Sequence, residues 1–338
     1  MTYSIGVDIG GTNTVIGLLD PGLQLVNRTV IPTRPAEGAD MLFDRIAASI
    51  SGMVQEAGVG SDGYTVGMGV PGFVNSDTGI SMSSGNLGWI VEPVAAKMQA
   101  RLQAPVAIDN DVRMYVYGES LFGAGQGVRY VLGVTVGTGL ASAFVADGQP
   151  FSGGGYMAGE LGHIIMEDIP YRCICGMIGC LETVASATGI VRQARELMGK
   201  AGKPSILHDW FPDDAGASLT ARDVSRAYDL DDPIAIRVFE QTGEWLGRGL
   251  TYAVTLFSPD RVIIGGGAAA AGERLLGPVR RTMKRMLISD YWEHIKIVPA
   301  SLGDDAGVIG SAVFGRNRVH NAPLAPGRSS RLTKGRIP

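Results

Sequence analysis

The chain has 338 residues, 29 Lys and Arg against 33 Asp and Glu for a formal net charge of -4, and 45% hydrophobic residues. That length suits two α/β domains, and the charge offers no basic footprint for nucleic acid, whose binding needs clustered Lys and Arg. No run of 18 apolar residues and no secretory leader pattern occurs, and three cysteines make a poor disulfide framework, so the expected protein is cytoplasmic and has no membrane segment.

From the N-terminus, IGVDIGGTNTVIGLLDPG (5–22) reads as a β-hairpin: an alternating apolar strand, a Gly/Thr turn, and a second apolar strand. In its turn, Gly10 and Gly11 let backbone N–H groups approach an anion, and Thr12 and Asn13 add donors. Asp8 stands beside them, placed to reach a metal ion that neutralises a polyphosphate. A third strand (Leu23 to Ile31), a helix (Met41 to Ala57) and a strand (Thr65 to Gly69) follow. VAIDND (106–111) then runs from a strand into a helix over Val112 to Leu121. A carboxylate at a strand end faces a cleft, and phosphoryl transfer to a hydroxyl needs a base there; Asp111 is the candidate, the competing reading being a plain helix N-cap. Asn110 beside it is suited to hold a substrate hydroxyl.

LGVTVGTGLASAFVADGQ (132–149) repeats the first hairpin at an offset of 127, Gly6 over Gly133, Gly10 over Gly137 and Asp20 over Asp147, without a gap. The repeat predicts a duplicated lobe and a second phosphate turn, Gly137-Thr138-Gly139, so that two turns clamp one nucleotide. No GxxxxGK[ST] or strand-to-helix GxGxxG occurs. Next, all three cysteines gather in H-x9-C-x-C-G-x-x-G-C. His163, Cys173, Cys175 and Cys180 are the donor set of a closed, structural, tetrahedral zinc site. Helices are expected at Thr183 to Met198, Ala221 to Ala227 and Pro233 to Leu256. Then come a strand in RVIIGGG (261–267), a helix after Gly272, a strand in IKIVPA (295–300) and a last helix with Asp304 and Asp305 in its first turn. The tail 321–338, with four basic residues, no acid and much Pro and Gly, is expected to be disordered.

Taken together, DIGGT, GVPG (69–72), NLGW (86–89), NDV, VGTG, AGELGH, CICGMIGCLE, IIGGG and LGDDAGVIGSA, from Ile5 to about Gly315, resemble the ROK family of sugar kinases and regulators. The resemblance implies an actin-like ATPase fold. Its two ribonuclease-H-like lobes would comprise residues 1–112 with about 305–320, and 113–304. It makes Asp111 the base, Asn86, Asn110, Glu160, His163 and Glu182 sugar contacts, and puts Gly265, Gly266 and Gly267 near the adenosine. It implies ATP, magnesium and zinc, a homodimer, and phosphorylation of a hexose, glucose at the 6-hydroxyl first. Amino- or N-acetyl-hexosamines, fructose and allose are the alternatives. A departure is Ala141, where the family often has the last glycine of GTGxG; a slight change in nucleotide approach is expected. The rival from another class is a sugar-responsive repressor of the same family with a helix-turn-helix ahead of the lobes; the first strand begins within a few residues of Met1, which disfavours it. An actin-like ATPase with a protein partner is a third reading, weakened by ELGH and the cysteine loop.

Overall fold

The computed structural model describes residues 2–60, 63–200, 204–212 and 216–320. The first apolar stretches form β1 (Tyr3–Ile9), β2 (Asn13–Leu19) and β3 (Leu25–Pro32), followed by α1 (Ala39–Glu56) and β4 (Tyr64–Val70). The prediction names no element between Gly69 and Val106. The structure forms there a small antiparallel sheet of β5 (Phe73–Asn75), β6 (Ile80–Ser84) and β7 (Trp89–Glu92), then α2 (Val94–Leu102). After β8 (Val106–Asn110), α3 (Asp111–Phe122) leads to β9 (Tyr130–Val136), β10 (Leu140–Ala146) and β11 (Gln149–Pro150).

The predicted single helix from Thr183 breaks into α4 (Glu182–Ala185) and α5 (Ala187–Met198), because Ser186 leaves helical backbone and caps α5 by accepting from the Gly189 amide at 3.1 Å. Then come α6 (Ile206–Trp210), α7 (Ala221–Tyr228) and α8 (Pro233–Phe257), the last started by the Asp232 cap and Pro233. β12 (Arg261–Gly265), α9 (Glu273–Met286), α10 (Ser289–His294), β13 (Lys296–Pro299) and α11 (Ala306–His320) complete the order. Asp304 and Asp305 lie in a 3-10 turn before α11 rather than inside it, and Asp305 pairs with Arg28 at 2.8 Å. The tail 321–338 lies outside the described residues. Among the described residues no helix is long and apolar enough to cross a membrane.

Two five-stranded sheets share one construction. Their orders are β3-β2-β1-β4-β8 and β11-β10-β9-β12-β13, each a three-stranded antiparallel meander extended by two parallel strands. The repeated Gly6 and Gly133 have one cause. A side chain at Gly6 would overlap the Val308 carbonyl of α11, and one at Gly133 would overlap the Val116 side chain of α3, so a helix crosses each central strand at contact distance. The gapless offset does not survive the turn, however. Gly6 faces Gly17, whereas Gly133 faces Ala143, so the second hairpin closes one residue tighter and the match of Asp20 with Asp147 is not a structural one.

Each sheet has its own apolar core. A third core, including Val116, Tyr117, Val131, Ile263, Ala312 and Phe314, lies around the packed pair α3 and α11 and draws on both sheets.

Candidate active site

The parallel strands β1, β4 and β8 end side by side, and the register puts Asp8 opposite Gly69 and Gly69 opposite Asp109. Ligands of open α/β sheets bind beyond the carboxyl ends of such strands. Here the missing side chain of Gly69 lets two acids converge: its absent Cβ position lies 3.2 Å from the Asp111 Cα and 3.5 Å from Asp8 Oδ1. Burial pushes the Asp8 carboxyl up to about 7, with the Asp111 charge adding to it; burial pushes Asp111 up to about 6 against the pull of its amide hydrogen bonds. A close pair of acids raised in this way fits a divalent cation, which would relieve both burial and repulsion.

Asn110, not Asp111, caps α3: its Oδ1 accepts from the Arg113 amide at 3.0 Å. Its Nδ2 donates to the Gly72 carbonyl and to Asp111 Oδ1, both at 3.0 Å, and the same Oδ1 accepts from the Val112 amide at 2.9 Å. One oxygen of Asp111 is thereby anchored by its neighbours, while no side chain among the described residues donates to the other. Behind it, Arg113 and Asp109 form an ion pair at 2.7 Å in which each side chain is only 3% exposed. Arg113 also donates to the Tyr156 carbonyl at 3.3 Å, and its charge favours the ionised forms of both Asp111 and Glu160. The sequence reading missed this pair because burial, not spacing, gives it its role.

In the first turn Gly11, Thr12 and Asn13 are exposed, Gly10 donates to the Asn13 carbonyl at 2.9 Å, and Asn86 lies against Gly11. In the second, Gly137 donates to the Gly139 carbonyl at 3.0 Å, and the start of α5 holds the turn: Ala187 N donates to the Gly137 carbonyl at 2.8 Å and Thr188 Oγ1 to that of Thr138 at 2.9 Å. Gly265 ends β12 and Gly266 and Gly267 lead into the 3-10 helix after it, Gly266 against the Val136 backbone and Gly265 under the Tyr115 hydroxyl. Ala141 sits in β10 opposite Thr135, beyond the turn. A cavity of about 520 Å³ opens at Thr138, lined by Ala187, Thr188, Val191, Leu219 and Ala221 among others. Its size suits a small-molecule moiety. Three separate elements build it, so no local motif announces it.

AGELGH lies along the part of the β10 edge that β11 leaves uncovered, since β11 pairs only with Val145 and Ala146. Ser142 N and Oγ both donate to the Gly159 carbonyl, at 3.0 and 2.8 Å, and side chains at Gly159 or Gly162 would overlap the Ser142 or Leu140 carbonyl. The two glycines let the backbone press on the strand, which fixes Glu160 and His163 at its edge. Burial raises the Glu160 pKa. His163 reaches two ways: Nε2 is 3.7 Å from Glu160 Oε2, and Nδ1 is 3.7 Å from Cys173 Sγ. Cys175 and Cys180 sulfurs are 3.6 Å apart, and the ligand atoms of His163, Cys173, Cys175 and Cys180 all lie within 4.8 Å of one another. A tetrahedral ion with bonds of about 2.0 Å to nitrogen and 2.3 Å to sulfur sets ligand–ligand edges of roughly 3.5–3.8 Å, which the His163–Cys173 and Cys175–Cys180 pairs match, and the donor set suits zinc; the cluster as a whole spans up to 4.8 Å and would draw in around the ion. Glu182, which the resemblance makes a sugar contact, follows the cysteine loop: Oε2 accepts from the Leu140 amide at 3.0 Å and Oε1 lies 3.5 Å from Cys173 Sγ.

The chain as a whole is similar to known proteins. The sequence is 35% identical to a glucokinase of Halalkalibacterium halodurans over 313 residues, 91% of this chain and 93% of the relative. A ROK family glucokinase from Streptomyces griseus, solved in complex with glucose and AMPPNP, superposes with a TM-score of 0.76 at 32% identity, covering 93% of this chain and 99% of that one. A ROK family transcriptional regulator, homologous to the MLC protein of E. coli, superposes with a TM-score of 0.81 at 27% identity, covering 93% and 78%. Such neighbours establish the two-lobed actin-like ATPase fold, and with the family's own sequence pattern matching residues 4–318, nearly the whole length, the chain belongs to the ROK family.

Proposed function

We propose that the chain is an ATP-dependent hexose kinase that phosphorylates glucose at the 6-hydroxyl with Asp111 as the base. The observation that carries the reading is the meeting of Asp8 and Asp111 over Gly69 at the strand ends, with one Asp111 oxygen anchored by Asn110 and Val112. The glucokinase relatives support the substrate. Asp111 accepts the hydroxyl proton as the sugar oxygen bonds to the γ-phosphorus and the bond to the bridging oxygen breaks, leaving ADP. The turns Gly10–Asn13 and Gly137–Gly139 receive the phosphates, and the cavity at Thr138 with Gly265 to Gly267 receives the adenosine end. Asp8 would hold magnesium, which neutralises phosphate charge when bound. Asn86, Asn110, Glu160, His163 and Glu182 position the sugar.

His163, Cys173, Cys175 and Cys180 would hold zinc as a structural ion, fixing the imidazole so that its other nitrogen reads a sugar hydroxyl. The lobes are read as 1–112 with about 305–320, and 113–304, in a cytoplasmic homodimer.

ADP release measured with a panel of free hexoses and methyl glucoside tests this function. Release dependent on glucose, with methyl glucoside far poorer, supports it. Preference for an N-acetylated or amino sugar redirects the substrate, and release with no sugar, or none at all, favours a regulator or another ATPase.

A further inference from the structure

The side chain of Glu182 joins two parts of the molecule that the kinase reading treats separately. Glu182 follows Cys180 by two residues, and Cys180 is tightly held. It bridges Ile165, its carbonyl accepts from Thr183 N at 3.0 Å and Thr183 Oγ1 at 2.7 Å, and the Leu181 amide between them donates to the Ile164 carbonyl at 3.0 Å. The cysteine loop therefore fixes where Glu182 begins. Its carboxylate then spans from Cys173 Sγ, 3.5 Å from Oε1, to the Leu140 amide, 3.0 Å from Oε2.

Leu140 is the first residue after the second glycine turn, facing Val136, and Glu182 Oε2 occupies the space a side chain on Gly139 would take. On its other side the same turn is held by Ala187 N and Thr188 Oγ1. Both supports of the turn thus come from the few residues that leave the cysteine loop.

We propose that Glu182 is a positioning residue that couples the cysteine loop to the second glycine turn, so that ordering the loop raises affinity for a nucleoside polyphosphate as well as for sugar. This rests on the kinase reading of the site and extends it, since there zinc serves the sugar end alone. A carboxylate behind a turn that receives phosphates would by itself repel them. Its benefit has to come from holding the Leu140 amide, and with it the shape of the turn.

The test is equilibrium binding of ADP, by calorimetry, to the full chain as wild type, Glu182→Ala, Cys175→Ser and the double variant. The expected result is an ADP affinity about tenfold weaker in each single variant, with the double variant no weaker than the worse single, because residues in one network are not additive. ADP affinity in Glu182→Ala within about twofold of wild type, or additive losses, would overturn the proposal, as would tighter ADP binding by Glu182→Gln, since repulsion would then dominate. Hydrogen exchange on wild type decides independently if a variant fails to fold: stripping zinc with a chelator should speed exchange at the Leu140 amide, and unchanged exchange there counts against the link. Wild type that binds no ADP at all would instead remove the kinase reading itself.

Discussion

Asp111 and Asp8 carry opposite costs. Asp111 must be ionised to accept a proton, and Asp111→Asn keeps its shape but not its basicity, so turnover should fall roughly 10²- to 10⁴-fold in a folded protein with sugar affinity little changed. Its pKa near 6 puts an acid limb in kcat/KM at or below that pH, because a bound cation shifts the group toward ionisation; the residual activity of Asp111→Asn should lack the limb. Asp8, raised to about 7, works against folding at neutral pH. The folded chain holds more protons than the unfolded one from about pH 4 to pH 7, so the stability tied to Asp8 is complete below the ordinary carboxylate range and lost as pH rises through 7. Without divalent cation, Asp8→Asn should therefore melt above wild type at pH 8 and at a similar temperature near pH 4, while losing magnesium-dependent activity. Equal melting at pH 8 would show that the burial of Asp8 costs nothing. Both acids stand out in the sequence as motif residues, but their shared environment does not, since Gly69 brings them together from strands far apart in the chain.

At the level of elements, the cysteine loop and the α3 clamp depend on different chemistry. Ligand binding to the folded state alone contributes to folding free energy, so the purified chain should carry one zinc, and Cys175→Ser should lose it and melt at a lower temperature. Elemental analysis with thermal melting checks both, and a metal-free wild type of unchanged stability would dismiss the ion. The clamp is Glu119, fully buried on α3. Its carboxylate accepts from the amides of Ala124, Ser301 and Leu302 at 2.9, 2.9 and 2.7 Å, tying the segment before α11 to α3. Glu119→Gln replaces one acceptor oxygen by a donor facing those amides and should cost about 1–3 kcal/mol in urea unfolding. A change below about 0.5 kcal/mol would mean that the segment is held by other contacts. Little near Glu119 in the sequence marks it, because two of its three amide partners, Ser301 and Leu302, lie 182 and 183 residues away.

For the whole molecule, the third core is the decisive feature. It surrounds α3 and α11 and takes residues from both sheets, so neither half can unfold without exposing it. A single calorimetric transition is the expected result, and glucose at about 100 times its Kd should raise stability by about 2.7 kcal/mol. Two separated transitions would show that the helix pair does not couple the halves. A rise with another hexose but none with glucose would move the substrate to that sugar.

The sequence by itself determined whatever depends on short spacing: the two Gly/Thr turns, the strand-end IDND, the four-ligand cluster, and the duplicated hairpin with Gly6 and Gly133 at equivalent places. Each needs only neighbours within about twenty residues, whose geometry is limited by backbone sterics and ligand chemistry. Tertiary structure decided the rest. Sheet register brought Asp8, Gly69 and Asp109 into one row, and a three-residue turn shortened the second hairpin by one residue. AGELGH packed on β10, Glu182 at the end of the cysteine loop met the Leu140 amide of the same strand, and α5 and Leu219 enclosed the cavity at Thr138. Such contacts join elements whose relative placement is set by the packing of entire sheets and helices, and no local pattern of residues encodes that distance.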